Sequence, residues 1–490
     1  MKDILWQPSS YHYNKSNISK FISFINNHYK KNIKSYDDLY DWSITDVSDF
    51  WNSVHQFCDI RLSSNPKTIF NRKDSFIEST WFDGAKLNFA ENLLKFRDDS
   101  IAIEYFCEDQ IKGKITYSQL FDRVNRCALY LKSLGVKEGD RVAAFMPNIP
   151  EAIIAMLATS SIGAVWSSCS PDFGIKGVLD RFTQIDPKVL FVSDGYFYKG
   201  KKIKLSSKIK QIRDALSSVN QTICVNLIGS SDIDNCINWR NLPDSNESIE
   251  FVQVPFAHPL YVMYSSGTTG KPKSIVHSVG GTLLQHLKEL VIHSDLKRTD
   301  KIFYFTTCGW MMWNWLVSSL AVGATLVLYD GSPFYPQNDS LLEIADSIGL
   351  SIFGTSAKYI SFLEQNNIIP DKYSFKKLRL ILSTGSPLIE ENYDFVYDKW
   401  KHDVQLCSIS GGTDIISCFA LGNPIKPVVK GKLQSLGLGM NVKSFDKNGK
   451  SLISDKGELV CVTPFPSMPI YFFNDHNNLK YKSAYFDTYP

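Results

Sequence analysis

The sequence predicts an α/β protein with two parallel-sheet α/β subdomains and a smaller β-rich piece behind them. Three observations carry this. A chain of 490 residues, 44 % of them hydrophobic, is too long for one compact core, so more than one globular unit is expected. One phrase occurs twice: "MLATSSIGAVWSSCSP" (156–171) and "WLVSSLAVGATLVLYDGSP" (315–333) each read as helix, glycine turn and strand. The strands themselves, such as "RVAAFM" and "ATLVLYD", are continuously apolar rather than alternating, as strands covered on both faces are.

Residues 1–90 are rich in aromatics and Asn, with helical patterns at Ile18–Tyr29 and Thr45–Ile60, and read as an N-terminal elaboration. The first α/β subdomain is assigned to 91–255. It opens on the strand "IAIEYF" (101–106). A helix with apolar residues at 120, 121, 124, 128, 129 and 131 follows, then Gly135 where a helix C-cap belongs, and "RVAAFM". "PEAIIAMLATSSIGAVW" and "PKVLFVSD" continue the alternation before the basic stretch "YFYKGKKIKLSSKIK" (196–210). The second α/β subdomain is assigned to 256–418, with strands "PLYVMYSS", "KIFYF", "ATLVLYD", "LSIFGTS" and "LRLILSTG". Short alternating runs such as "GELVCVTPFP" make 419–490 the β-rich piece.

Composition excludes several classes. A net charge of +3 is no nucleic-acid footprint. The ten cysteines (58, 107, 127, 169, 224, 236, 308, 407, 418 and 461) contain no Cys-x-x-Cys pair, so neither a zinc site nor a disulfide scaffold is signalled, and a reducing cytoplasm is expected. "MKDILWQPSSYHYNK" lacks the apolar run of a signal peptide. Phe303–Tyr329 carries no charge and is long enough to span a bilayer, but Thr306, Thr307, Asn314, Ser318, Ser319 and Gly323 break it, so no membrane insertion is expected.

"YSSGTTGKPK" (264–273) carries the chemistry. Gly267 and Gly270 permit positive φ and close approach of backbone to a ligand. Ser265, Ser266, Thr268 and Thr269 add hydroxyls, and Lys271 and Lys273 add positive charge. Successive N–H groups in such a turn wrap an anion, so the stretch reads as a phosphate-binding loop. It is not the nucleoside-triphosphatase P-loop, because its glycines are three apart and Pro272 follows the lysine. A kinase is disfavoured by the missing Gly-x-Gly-x-x-Gly loop and His-Arg-Asp.

The ten residues resemble the signature of adenylate-forming enzymes: acyl-CoA synthetases, peptide-synthetase adenylation domains and luciferases. Two further segments resemble the same family. "STGSPL" (383–388) is similar to its adenine-side segment, which implies that Gly385, Ser386 and Pro387 lie along the base. "SGGTDI" (410–415) is similar to the segment ending Gly-x-Thr-Glu, which implies that Ser410, Gly411, Gly412 and Thr413 border the nucleotide, with Thr413 at the α-phosphate. Asp414 stands where the family has a Mg²⁺-holding glutamate, one methylene shorter. Residues 80–490 follow the family, and "WFDGAKLNFAENLL" and "TTCGWMMWNWLVSSLAVGATLVLYDGSP" look most like its acetoacetyl-CoA synthetase branch.

The resemblance implies an ATP- and Mg²⁺-dependent ligation of acetoacetate to coenzyme A, with Thr268, Lys271, Thr413 and Asp414 as catalytic candidates. It also implies an acyl pocket lined by Trp310, Met311, Asn314 and Gly411. Ser410 and Gly411 stand where acetyl-CoA synthetases carry tryptophans, and the absent indole is expected to make room for a longer acid. Trp313 and Trp315 are expected to pack in the core. The 196–210 stretch, with Lys201 as best match, is expected to meet the nucleotide end of coenzyme A, a solvated basic hairpin being the alternative. The family takes its adenylation lysine from a C-terminal lid domain. The chain stops at "YKSAYFDTYP", before that lid is expected, so weak adenylation and a separate lid partner are expected. A silent ATP-binding module and a ligase of acetate or propionate are the other readings.

Overall fold

A computed structural model describes residues 3–230, 233–244, 247–265 and 270–489. Two large sheets dominate. In the first, the strands run in the spatial order Ile237–Asn238, Gln221–Val225, Val189–Ser193, Arg141–Phe145, Val165–Cys169, Pro259–Ser265, Lys273–Ser278 and Tyr471–Phe472. All are parallel up to Pro259–Ser265, and the last two are antiparallel additions. The second sheet runs Gln405–Ser408, Leu380–Thr384, Ile352–Ser356, Lys301–Tyr304, Thr325–Asp330, Ile101–Cys107 and Ile111–Thr116, parallel except at its last strand.

The linear division at 255/256 does not coincide with the division between the sheets. Ile101–Cys107 and Ile111–Thr116 join the second sheet, and Pro259–Ser265 and Lys273–Ser278 join the first. Strand pairing follows the apolar faces available in space, so an early β-hairpin can complete a late sheet. Behind them, two three-stranded sheets form the β-rich piece: Ser410–Gly412, Ser417–Leu421 and Ser435–Leu436, then Ser451–Leu452, Val442–Phe445 and Glu458–Cys461. A helix, Leu479–Phe486, follows.

Both copies of the repeated phrase fold as read. Helix Pro150–Ser161 stops before Gly163 (φ +73°) and strand Val165–Cys169 begins. Helix Met311–Val317 and a 3₁₀ turn stop at Gly323 (φ +82°), before strand Thr325–Asp330. A left-handed residue ends each helix, and glycine takes that conformation without a Cβ penalty. Helix Tyr117–Ser133 starts on a capping box between Thr116 and Gln119 and buries Leu120, Val124, Ala128 and Leu131. Among the described residues no helix is long and apolar enough to cross a membrane.

Residues 3–90 dock on this core. The helical pattern at Thr45–Ile60 is helix Val47–Phe57; a separate helix, Tyr36–Thr45, precedes it, the two divided where the chain leaves helical geometry at Asp46 (φ −94°, ψ 54°). Helix Asn17–Tyr29 sits against the core through Asn17, whose N–H donates to Asp295 (2.7 Å) and whose Nδ2 donates to the Val291 and Leu296 carbonyls (3.0 Å each). Ser43 Oγ accepts from Gly439 N–H (2.9 Å), and Tyr40 donates to the Met440 carbonyl (3.0 Å).

Candidate functional site

In open parallel sheets, ligands bind at the carboxyl ends of strands, where neighbouring connections leave in opposite directions. In the second sheet that crevice lies between Lys301–Tyr304, whose chain passes Trp310 on its way to one side, and Ile352–Ser356, whose chain leaves to the other. In the first it lies between Arg141–Phe145 and Val189–Ser193, and the basic hairpin follows the latter strand.

Strands Pro259–Ser265 and Lys273–Ser278 pair antiparallel, with Ser265 opposite Lys273, so a ladder pair holds both ends of the predicted phosphate loop. Ser266, Gly267, Thr268 and Thr269 lie outside the described residues. Gly270 has φ +120°, where L side chains are strained, and Lys271 is exposed. Ser265 Oγ is buried without a hydrogen-bond partner among the described residues.

Lys273 crosses to the "SGGTDI" segment: its Nζ lies 3.2 Å from Asp414 Oδ1. Tyr485, from the last helix, donates to the same oxygen (2.6 Å). Burial and then the Asp414 charge push the Tyr485 phenol well above its ordinary range. About a third of the Lys273 and Asp414 side chains is exposed, so the pair orients more than it stabilises. Four residues further along the strand, His277 donates from Nε2 to the Thr413 carbonyl (2.9 Å). Burial lowers that imidazole to about 3, so it is neutral.

The adenine-side segment joins the same region. Thr384 Oγ1 donates to the Ile409 carbonyl (3.0 Å), beside Ser410. Gly385 (φ +89°) faces Trp310: a Cβ there would lie 3.7 Å from the indole. Ser386 and Pro387 line an open cleft of about 310 Å³ with Lys358 and Ser361. Asp414 opens on a separate cleft of about 750 Å³ walled by Phe76, Phe445, Phe465 and Tyr485. Among the described residues none lines both clefts; their segments are joined by strand pairing, Ser383 opposite Ser408. The three sequence segments therefore meet: Lys273 on Asp414, His277 on Thr413, and Thr384 on Ile409.

A divalent cation fits these residues. Lys273 and Tyr485 both bind Asp414 Oδ1, and among the described residues no hydrogen bond reaches Oδ2. Among the described residues no three His, Cys, Asp or Glu side chains cluster as a metal site. One hard carboxylate oxygen with no surrounding cage suits Mg²⁺, which takes one or two carboxylates and completes its shell with water and phosphate oxygens.

Two expectations change. A Cβ on Gly411 would lie 2.1 Å from the Ser417 carbonyl and 2.7 Å from Cys418 Cα, whereas one on Gly412 would meet nothing within 4 Å. A side chain at 411 would collide with the neighbouring strand rather than fill a pocket, so the glycine there is required by close backbone packing. Asn314 is buried, and the void it shares with Tyr261, Gly309 and Trp166 is about 10 Å³, room for about one water. Trp310 is half-buried and Met311 buried. Trp313 and Trp315 pack in the core, donating to Asn148 (3.0 Å) and Glu289 (2.9 Å).

Lys201 is exposed on the hairpin Gly195–Tyr198/Lys201–Lys204, and among the described residues it makes no hydrogen bond or ion pair to those above. The hairpin is nevertheless fixed. The N–H groups of Lys199 and Gly200 donate to the Glu108 carboxylate (2.7 Å each), and Ser332 N–H does the same (2.9 Å).

Sequence reasoning missed Tyr485, His277 and a polar column under the Thr413 turn. His286 donates to the Ile416 carbonyl (2.9 Å), Glu289 accepts from Ser417 and Cys418, and His293 meets the Gly422 carbonyl (2.9 Å). Each partner in that column is more than a hundred positions away along the chain, and Tyr485 is 71 positions from Asp414, so no local pattern announces such pairings.

Comparison with known proteins adds three findings. Residues 89–471 match the family described as AMP-binding enzyme, and residues 36–93 match the one described as acetyl-coenzyme A synthetase N-terminus. The chain is 46 % identical to acetoacetyl-coenzyme A synthetase of Rhizobium meliloti (strain 1021) over 493 residues, spanning 99 % of this chain and 75 % of that protein. It is 42 % identical to acetoacetyl-CoA synthetase of Danio rerio over 503 residues, spanning 99 % of this chain and 74 % of that one. The solved acetoacetyl-CoA synthetase of Streptomyces lividans superposes with a TM-score of 0.95 at 40 % identity, covering 99 % of this chain and 76 % of that one.

Proposed function

The chain belongs to the AMP-binding enzyme family, and from that premise we infer that it is an AMP-forming acid–thiol ligase that joins acetoacetate to coenzyme A. The convergence of the phosphate-loop strand on Thr413–Asp414, through Lys273 and His277, is the observation that carries this reading. In the first half-reaction a carboxylate oxygen of acetoacetate attacks the α-phosphorus of ATP and pyrophosphate leaves. In the second the coenzyme A sulfur attacks the acyl carbon and AMP leaves.

Each half-reaction assigns work to residues of this chain. Two anions meet in the first, so positive charge must offset the charge that builds at phosphorus. Lys271 and Lys273 stand at the loop, with Ser265, Ser266, Gly267, Thr268, Thr269 and Gly270 as its hydroxyl and backbone donors. Thr413 is assigned to the α-phosphate, and its carbonyl is oriented by the neutral His277. Asp414 would hold Mg²⁺, which when bound neutralises phosphate charge. Gly385, Ser386 and Pro387 are assigned to adenine, and Ser410 and Gly412 to the line joining it to the phosphates. Trp310 and Met311 are assigned to the acid. Lys201 and Lys199 are assigned to the nucleotide end of coenzyme A as point charges. The ten cysteines, all free, suit a reducing cytoplasm.

The acid can be tested without turnover. Hydrolysis-resistant sulfamoyl adenylates carrying acetoacetyl, acetyl and propionyl groups are titrated calorimetrically into the protein. The acetoacetyl analogue is expected to bind about 10-fold tighter than the acetyl one, as a pocket built to pair a second carbonyl would make it. Equal affinity, or a preference for acetyl, contradicts the acetoacetate assignment. Failure of all three to bind contradicts the ligase reading.

A further inference from the structure

The turn Thr413–Ile415 is held from below by a fully buried ion pair that takes no part in the reaction derived above. Helix Val279–Leu287 widens into a π turn, Lys288–His293, a distortion that concentrates at functional sites. Lys288 and Glu289, both wholly buried, lie at its start, with Nζ 3.6 Å from Glu289 Oε1. Glu289 is fully used. Its Oε1 accepts from Ser417 Oγ (2.5 Å), Cys418 N–H (3.1 Å) and Gln285 Nε2 (3.1 Å), and its Oε2 accepts from Trp315 Nε1 (2.9 Å). Lys288 donates to the Leu438 carbonyl (3.2 Å).

Two of those donors, Ser417 and Cys418, directly follow Ile416. Ile416 has φ +46°, ψ 35°, a left-handed conformation that a β-branched residue takes only under constraint. His286 holds its carbonyl from the same helix. Such a strained residue persists only where its surroundings over-determine it, and it marks sites where backbone geometry matters. Stability does not demand a buried ion pair, since apolar replacements of such pairs are often neutral or better. A rigid charged acceptor for the hairpin's own donors is what the pair supplies.

We propose that Glu289 is a positioning residue for the nucleotide site: through Ser417 and Cys418 it fixes the Ile416 turn, and with it the direction in which Thr413 and Asp414 face the phosphates and the cation. The inference rests on the reading of Asp414 as the metal carboxylate. It acts at one remove, as outer partners of metal ligands do.

The test measures affinity for a non-hydrolysable ATP analogue with and without Mg²⁺ in the full chain, alongside amide exchange over 413–418. In Glu289→Gln the metal-free affinity should stay within about twofold of the parent, while the gain conferred by Mg²⁺ should shrink about 10-fold, the usual cost of losing such a partner. Amides of 413–418 should exchange faster. Ser417→Ala removes one of the two links, keeps the Cys418 N–H, and leaves the buried charges satisfied, so it should fold and move both readouts the same way by a smaller factor. The double variant Lys288→Met/Glu289→Gln removes both charges and should behave like Glu289→Gln. A parental Mg²⁺ gain in Ser417→Ala and in the folded Glu289 variants overturns the proposal. Asp414→Asn separates the two readings. A defect there with none in the others removes this inference alone, whereas an unchanged Mg²⁺ gain there removes the site reading and this inference with it.

Discussion

Two buried glutamates, Glu108 and Glu289, each tie a β-hairpin to the body of the protein, and they do it with different chemistry. Glu108 takes three backbone N–H groups, two from the basic hairpin and one from Ser332 in the other half of the molecule. Glu289 takes one backbone N–H, three side-chain donors and a buried lysine. A carboxylate satisfied by peptide groups needs no counter-charge. One set deep in a helix beside a lysine becomes part of a pair whose members depend on each other. The first arrangement joins two sheets, and the second sets the shape of one turn.

Removing each carboxylate should show the difference most strongly. Glu289→Ala strands Lys288 and should cost about 3–5 kcal/mol in urea unfolding, the range for breaking a buried pair. Glu108→Ala should cost about 1–3 kcal/mol, from N–H groups left unpaired. Equal costs would mean that Lys288 adds nothing to the contrast.

The hairpin that Glu289 holds should also tolerate side chains unevenly. Gly411→Ala should destabilise by about 1–3 kcal/mol, because its methyl collides with backbone that must move. Gly412→Ala should stay within about 0.5 kcal/mol of the parent. Thermal melts of the pair decide it, and similar losses would contradict the packing described for Gly411.

The two regions should respond to acid in opposite senses. Burial lowers His277 and His293 to about 3 and His286 to about 4, while unfolded histidines titrate near 6.5. Between those values the unfolded chain binds more protons, so stability falls as pH drops from about 6.5 towards 4, by about 1.4 kcal/mol per pH unit for each fully shifted imidazole. Asp330, whose carbonyl accepts from Glu108 N–H, is raised to about 7 by burial and then by Glu108 and Asp172. It binds its proton in the folded state, so its contribution is present at low pH and is lost as pH rises from about 4 to 7. Half-buried Glu151, also raised, pulls the same way as Asp330. Amide exchange followed against pH should loosen residues 413–438 on acidification and tighten residues 330–335. Loosening of both together would break the comparison.

The smallest effect is expected on the hairpin that Glu108 holds. Lys199→Ala with Lys201→Ala should leave stability within about 0.5 kcal/mol and weaken coenzyme A binding by a few-fold, with a shallower dependence on salt because screened point charges are lost. Unchanged affinity and salt dependence would remove the hairpin from the coenzyme site.

The elements visible in the sequence were those with local causes. Gly163 and Gly323 end their helices because the left-handed residue is needed there, and apolar runs on both sides declare buried strands. The exchange of strands between the sheets was not legible, since Ile101–Cys107 finds Thr325–Asp330 more than two hundred positions away. The same limit hid the polar column. "LLQHLKELVIH" (283–293) has the charge pattern of a helix with one wet face, yet the fold buries ten of the eleven residues and leaves Val291 half-buried. Only distant partners such as Ile416, Ser417 and Gly422 make that burial tolerable. In the site, residue types singled out Lys273, Thr413 and Asp414, which the fold brings together, but the direction of the Gly411 Cβ depended on a strand that pairs with it in space.

The claim on which the rest depends is that Lys273, Gly385–Pro387 and Thr413–Asp414 hold one magnesium-bound adenine nucleotide. A crystal structure of the full chain grown with Mg²⁺ and a non-hydrolysable ATP analogue tests it most directly. The account predicts the base along Gly385–Pro387, the phosphates between the 265–273 loop and Thr413, and the cation about 2.1 Å from an Asp414 oxygen. Nucleotide bound away from these segments, or a cation held without Asp414, would contradict it.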